Sequence, residues 1–266
     1  MRFAALTLIL ALILAAALRA VPPAQAQDVP VDLELILAVD VSRSMDLDEQ
    51  QLQRDGYVAA ITHPEVLAAI AQGRRGRIAL SYVEWAGAEA QSKVVDWRLV
   101  DGPETAAAFA AALARAPIQQ LRGTSIANGL AFVAPEFDRN GYQATRRVID
   151  VSGDGPNNIG LPVEAARDAV VEVGITINGL PIMIKPPGGF AAIGNLDVYY
   201  EDCVIGGFGA FQLVVRSADQ FAEAIRRKLV LEIADRQPPV ASGIATASGE
   251  RIDCLIGEKL RQRWDR

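Results

Sequence analysis

Apolar and polar positions follow two alternating rhythms along this chain. Leu33-Glu34-Leu35-Ile36-Leu37-Ala38-Val39 is a nearly unbroken apolar run, as expected of a strand buried on both faces. The spacing then predicts a helix from about Asp48 to Gln72, broken near His63-Pro64 because proline lacks the N–H that a helix interior needs. Arg77 to Glu84 reads as a second strand with Tyr82 and Trp85 at its end, and Gln91 to Trp97 as a shorter strand paired with it. Pro103 to Ala114 and Ser125 to Phe137 read as helices. Arg146 to Ser152 follows as a central strand, Val163 to Val173 as a helix and Ile175 to Leu180 as a strand. Leu213 to Arg216 is expected as a last short strand. Ser217 with Gln220 is expected as a capping box opening a helix whose apolar face is Phe221, Ile225 and Leu229.

Strands alternating with helices at this spacing predict an α/β fold, Rossmann-like and doubly wound, with a mainly parallel central sheet flanked by helices. No linker divides residues 33–234, which read as one domain after a short lead at 27–32. Two segments break the rhythm. Residues 181–211 are rich in Gly, Pro and Tyr and read as a long loop or insertion. Residues 235–266 show no clear periodicity and read as a tail packed on the domain.

Residues 1–26 follow a different logic. Arg2 opens a short basic region, Phe3 to Leu18 is apolar apart from Thr7, and Ala24-Gln25-Ala26 has the small-x-small pattern of a cleavage site. The apolar run is shorter than the roughly 20 residues a membrane span needs, and Arg19 ends it. The expectation is a signal peptide and a periplasmic or secreted product beginning at Gln27, with no membrane span after cleavage. In an oxidising compartment Cys203 and Cys254, the only two cysteines, are expected to form a disulfide.

Composition narrows the chemistry. The 266 residues carry a net charge of −6, which argues against a sequence-independent grip on nucleic acid phosphates. Two cysteines cannot build a four-thiolate zinc site. His63 is the one histidine, so any imidazole base must be that residue.

Asp40-Val41-Ser42-Arg43-Ser44 follows the first buried strand, at the end of the sheet where open α/β folds bind ligands. Asp46 with Glu49 forms an N-cap pair for the next helix. On their own, serine and aspartate at such a turn serve as helix caps. Gly123-Thr124-Ser125 before a helix and Asp154-Gly155 after the Arg146–Ser152 strand add a hydroxyl and a second carboxylate at the same rim. A set of oxygen donors without a soft ligand suits a hard cation, Mg²⁺ first and Ca²⁺ or Mn²⁺ next.

With Asp40, Ser42 and Ser44 as D-x-S-x-S, Thr124 as the threonine and Asp154-Gly155 as the final Asp-Gly, the sequence resembles the von Willebrand factor type A (VWA) fold and its metal-ion-dependent adhesion site over most of 33–231. The resemblance implies direct metal binding by Ser42 and Ser44, direct or water-mediated binding by Thr124, and mostly water-mediated binding by Asp40 and Asp154. It departs from the pattern at Ser152-Gly153-Asp154, where the family usually has Thr or Ser immediately before the aspartate. Asn195-Leu196-Asp197-Val198-Tyr199-Tyr200, running into Cys203-Val204-Ile205-Gly206-Gly207, is similar to an exported bacterial VWA-like family with no assigned function. The implied function is a binding module whose metal takes an Asp or Glu carboxylate of a protein partner.

An Mg²⁺-dependent phosphatase or hydrolase is the alternative of a different class. Asp40-Val41-Ser42 lacks the second aspartate of a D-x-D phosphatase loop, and no G-x-S-x-G elbow accompanies His63. A solute-binding module would use Trp85, Trp97, Tyr199 and Tyr200 as a ligand patch, against their more ordinary use as packing. Arg226-Arg227-Lys228 reads as a polar helix face.

Overall fold

The computed structural model describes residues 28–186, 192–238 and 251–266; the expected signal peptide lies outside the described residues. In chain order the elements begin with β1 (Val29–Pro30), β2 (Leu33–Asp40), α1 (Leu47–Ile61), α2 (Pro64–Ala71) and β3 (Ile78–Trp85). Next come β4 (Gln91–Val100), α3 (Pro103–Arg115), α4 (Ile126–Val133), β5 (Tyr142–Gln143) and β6 (Arg147–Gly153). The chain continues through α5 (Val163–Glu172), β7 (Thr176–Pro181), α6 (Leu196–Tyr199), α7 (Phe221–Ile233) and α8 (Ile256–Trp264).

The main sheet has the order β4-β3-β2-β6-β7. Every pairing in it is parallel except β3 with the edge strand β4. β2 is central and buried along its whole length, and its period of two divides the core. Leu33, Leu35, Leu37 and Val39 face one layer, with Tyr57 of α1, Phe109 of α3 and Phe221 of α7. Ile36 and Ala38 face the other, with Ile126 and Leu130 of α4, Val170 of α5 and the pair Tyr199–Tyr200. Helices therefore cover both faces of the sheet, the doubly wound arrangement expected from the sequence. β1 and β5 form a separate two-stranded parallel sheet that the hydrophobic pattern did not reveal, because each strand is only two residues long.

Several expected boundaries moved for identifiable reasons. The helix over Ser125–Phe137 stops at Val133 and tightens into a 3₁₀ turn over Ala134–Asp138, where Pro135 has no N–H for the α-helical ladder. The expected strand Leu213–Arg216 is not one. Gln212 and Val215 make only isolated bridges to Gly179 and Ile182, alongside a strand end where Pro181 has no N–H to donate. Ser217 makes no side-chain cap. A 3₁₀ turn over Ala218–Gln220 leads into α7 instead. The 181–211 segment is more than a loop: it contains α6 and a π-helical turn over Tyr200–Val204, while residues 187–191 lie outside the described residues.

The tail carries α8, whose short apolar side is hard to read from the sequence because only Gly257 is buried and only Ile256 packs against the core. Cys203 and Cys254 are disulfide-bonded, with Cα atoms 5.6 Å apart, tying this tail to the π-helical turn. Lys228 corrects the polar-face reading of α7. It is completely buried and ion-paired with Asp150 of β6 and with Glu232.

Candidate metal centre

β2 and β6 run side by side in parallel, with Val39 opposite Ser152, so both strands release their chains at the same rim. That pairing brings Asp40 and Asp154 together across 114 positions of sequence. Gly153 makes the approach possible. A Cβ there would come within 3.0 Å of both Asp40 Oδ2 and the Tyr200 hydroxyl.

Asp40 is completely buried; its Oδ1 accepts the Ser42 N–H at 2.7 Å, while its Oδ2 has no hydrogen-bond partner. From Ser42 a line of oxygens climbs to the surface. Its Oγ lies 2.8 Å from Ser44 Oγ, and Ser44 Oγ donates to Asp154 Oδ1 at 2.6 Å. α1 supports the turn from below through two buried amides, Gln50 donating to the Ser42 carbonyl and Gln53 to the Asp40 carbonyl, each at 3.3 Å.

Thr124 arrives by a separate route. The Leu121 N–H donates to the Val41 carbonyl at 2.9 Å, and the Ser125 N–H to the Ala86 carbonyl at 2.7 Å, which lays this loop over the ends of β2 and β3. Gly123 turns the chain with φ +82°, a left-handed conformation in which a side chain is strained. Thr124 is bonded on both sides to Asn158: its N–H donates to Asn158 Oδ1 at 3.1 Å, and its carbonyl accepts the Asn158 N–H at 2.8 Å.

Ser44, Thr124 and Asp154 line a cleft of about 430 Å³, together with Glu49, Lys185 and an apolar wall including Ile182 and Leu196. Asp40 and Ser42 are not on its surface; they lie beneath it. All five residues singled out in the sequence thus converge on one rim, three facing the cleft and two supporting it. Asn158 and the two amides of α1 were missed, and Tyr200 was singled out only as part of a ligand patch, not of this rim. Asn158 stands four residues after Asp154, close enough in sequence to have been a candidate, whereas the others reach the site only through packing.

Electrostatically the rim is poised for positive charge. Burial, followed by the neighbouring Asp154, raises the Asp40 carboxyl well above its usual range, against the opposing Ser42 hydrogen bonds. Burial also raises Asp154, to about 6, with the Ser44 hydroxyl pulling it down and the Glu49 charge pushing it up. Two carboxylates sharing a desolvated rim with an unpartnered oxygen between them fit a hard cation. Lys185 spans Asp46 and Glu49 at the mouth, with Nζ 2.8 Å from Glu49 Oε2.

His63 is engaged elsewhere. Its Nδ1 accepts the Glu65 N–H at 3.2 Å and caps α2. Trp85, Tyr199 and Tyr200 are core residues, and Trp97 packs edge-on against Phe137.

This sheet order, its helical cover and its rim define the VWA class of fold. Among solved structures, the chain is similar to the pilus adhesin SpaC from Lactobacillus rhamnosus GG, with a TM-score of 0.58 and 12% identity over 79% of this chain and 32% of that one. Proximal thread matrix protein 1 from the mussel byssus, solved with a zinc-occupied MIDAS motif, gives a TM-score of 0.54 at 17% identity over 79% of this chain and 49% of that one. A von Willebrand factor type A protein from Catenulispora acidiphila gives 0.53 at 15% identity, over 77% of this chain and 43% of that one. The chain spans about half or less of the length of each. No curated protein sequence matches it significantly. The chain belongs to the family described as "Protein of unknown function (DUF1194)", which matches residues 30–237.

Proposed function

We propose that this protein is an exported VWA-type binding module that holds a divalent cation among Asp40, Ser42, Ser44, Thr124 and Asp154, and through it takes an Asp or Glu carboxylate of a protein partner. The observation that carries the reading is the line of oxygens from Ser42 through Ser44 to Asp154 at the mouth of the cleft, above the unpartnered Oδ2 of buried Asp40. By the VWA pattern, Ser42 and Ser44 would hold the ion directly, Thr124 directly or through water, and the two aspartates mostly through water. With neutral hydroxyls as its nearest ligands, the bound ion would supply a concentrated positive charge with room for one more oxygen. Mg²⁺ is the first choice for an all-oxygen set, and Ca²⁺ or Mn²⁺ the next. Binding is favoured over an Mg²⁺-dependent phosphatase because Ser42 stands where a D-x-D loop needs its second aspartate, and over a histidine-based hydrolase because His63 caps α2.

Calorimetric Mg²⁺ titration of the wild type, Asp154→Ala and Ser42→Ala tests the reading, with circular dichroism as the folding control. Asp154→Ala is expected to weaken Mg²⁺ about 10–100-fold, and Ser42→Ala to weaken it as well, both without unfolding. Equal affinity in all three would reduce these residues to helix caps and overturn the proposal.

A further inference from the structure

We infer that the C-terminal segment Asp253–Trp264 acts as a clamp on the metal-binding cleft. By gripping Asn157 and Asn158 it holds Thr124 against the Asp154 loop, so the affinity of the cleft for its cation depends on α8 being docked. The inference rests on the metal reading above. It concerns residues beyond the family match, which ends at 237.

Asn157 and Asn158 are buried and continue directly from the Asp154 turn. Each is held by α8. A Cβ on Gly257 would lie 2.0 Å from the Asn157 carbonyl oxygen, so glycine alone lets the helix backbone rest on this loop. Asn157 Nδ2 donates to Glu258 Oε1 at 2.7 Å, and its Oδ1 accepts the Ala127 N–H at the start of α4. One turn further along α8, Arg261 Nη1 donates to Asn158 Oδ1 at 3.3 Å. That oxygen is the one that receives the Thr124 N–H, so a single atom connects the tail to a proposed metal ligand.

The front of the segment is fixed as well. Cys254 is joined to Cys203, and the Tyr199 hydroxyl donates to the Cys254 carbonyl while accepting the Asn157 N–H. The neighbouring Tyr200 reaches the Asp40–Gly153 contact from the same turn.

A helix recruited for core stability would bury an apolar stripe. α8 buries only Gly257 and packs a single half-buried residue, Ile256, against the core, while Glu258 and Arg261 are directed at the loop after Asp154 that holds Thr124. Such outer contacts set the orientation of ligands, and their loss typically costs 10–100-fold in metal affinity.

Gly257→Ala in the full chain forces α8 off Asn157 without altering any residue of the cleft; Gln262→Ala, an exposed change on the same helix that makes no hydrogen bond to the loop, is the control. Two measurements are needed. In metal-free protein, amide exchange at Thr124 and Asn158 is expected to accelerate about tenfold or more in Gly257→Ala, with Leu37 and Val39 of β2 unchanged. In calorimetry, Mg²⁺ is expected to bind Gly257→Ala about 10-fold more weakly, with Gln262→Ala like the wild type. The double variant Cys203→Ser/Cys254→Ser should shift both readouts in the same direction. If exchange in α8 shows the helix released while Thr124, Asn158 and Mg²⁺ affinity stay unchanged, the clamp is refuted. If the wild type takes up no divalent ion, the metal reading fails, and the exchange comparison still decides whether α8 holds the loop.

Discussion

Lys228 and the two carboxylates around it show how far one residue's surroundings can depart from its sequence context. Its ammonium lies 2.6 Å from Asp150 Oδ1 and is also paired with Glu232, whose Oε1 takes the Asn178 amide at 3.0 Å. One cation shared by two buried acids leaves a surplus negative charge. Burial, then the Asp150 charge, raises Glu232 to about 7 from its usual 4.5, against the opposing pull of Lys228. Between these two values the folded protein holds a proton that the unfolded chain has released, so stability falls as pH rises from about 4.5 to 7. The contribution at stake is at most about 3 kcal/mol. Glu232→Gln should flatten the decline seen in urea midpoints over that range. An unchanged pH profile in the variant would show that Glu232 titrates normally.

At the scale of elements, α1 couples the fold to the cleft. Asp46 and Glu49 cap it reciprocally, the Glu49 N–H donating to Asp46 Oδ1 and the Asp46 N–H to Glu49 Oε2, each at 2.9 Å. The same helix sends Gln50 and Gln53 under the Ser42 turn and Tyr57 into the core. Asp46→Ala removes half of the capping box and is expected to cost about 1 kcal/mol, seen as a fall of about 2–4 °C in thermal midpoint. No change in the midpoint would mean that the cap is dispensable once tertiary packing is in place. The Cys203–Cys254 bond acts on a longer stretch of chain. Closing a loop with a sequence separation of 51 is worth about 4 kcal/mol by chain entropy.

For the whole molecule, the Cys203–Cys254 disulfide is of a kind that persists in oxidising surroundings. Among the described residues, no helix is long and apolar enough to cross a membrane. We propose that the 1–26 segment directs export and is removed, leaving Gln27 as the first residue. Intact-mass analysis of the extracytoplasmic protein should find that terminus; a retained Met1 would disprove cleavage.

Local periodicity along the chain is enough to define several elements and the part of the cleft that lies within one turn. The apolar run of β2, the break at His63-Pro64 and the Asp46–Glu49 box all express interactions between residues a few positions apart. Asp40, Ser42 and Ser44 were legible for the same reason, and Thr124 and Asp154 because matching turns follow a strand or precede a helix. Whatever depends on distant neighbours emerges on folding. Lys228 looks solvated until Asp150 and Glu232 close around it, and the docking of α8 is hidden because it combines one glycine and two polar side chains with only Ile256 against the core. Asn158 gained its role when β6 and the 121–125 loop met above β2, since a hydrogen bond between residues 34 positions apart leaves no pattern along the chain.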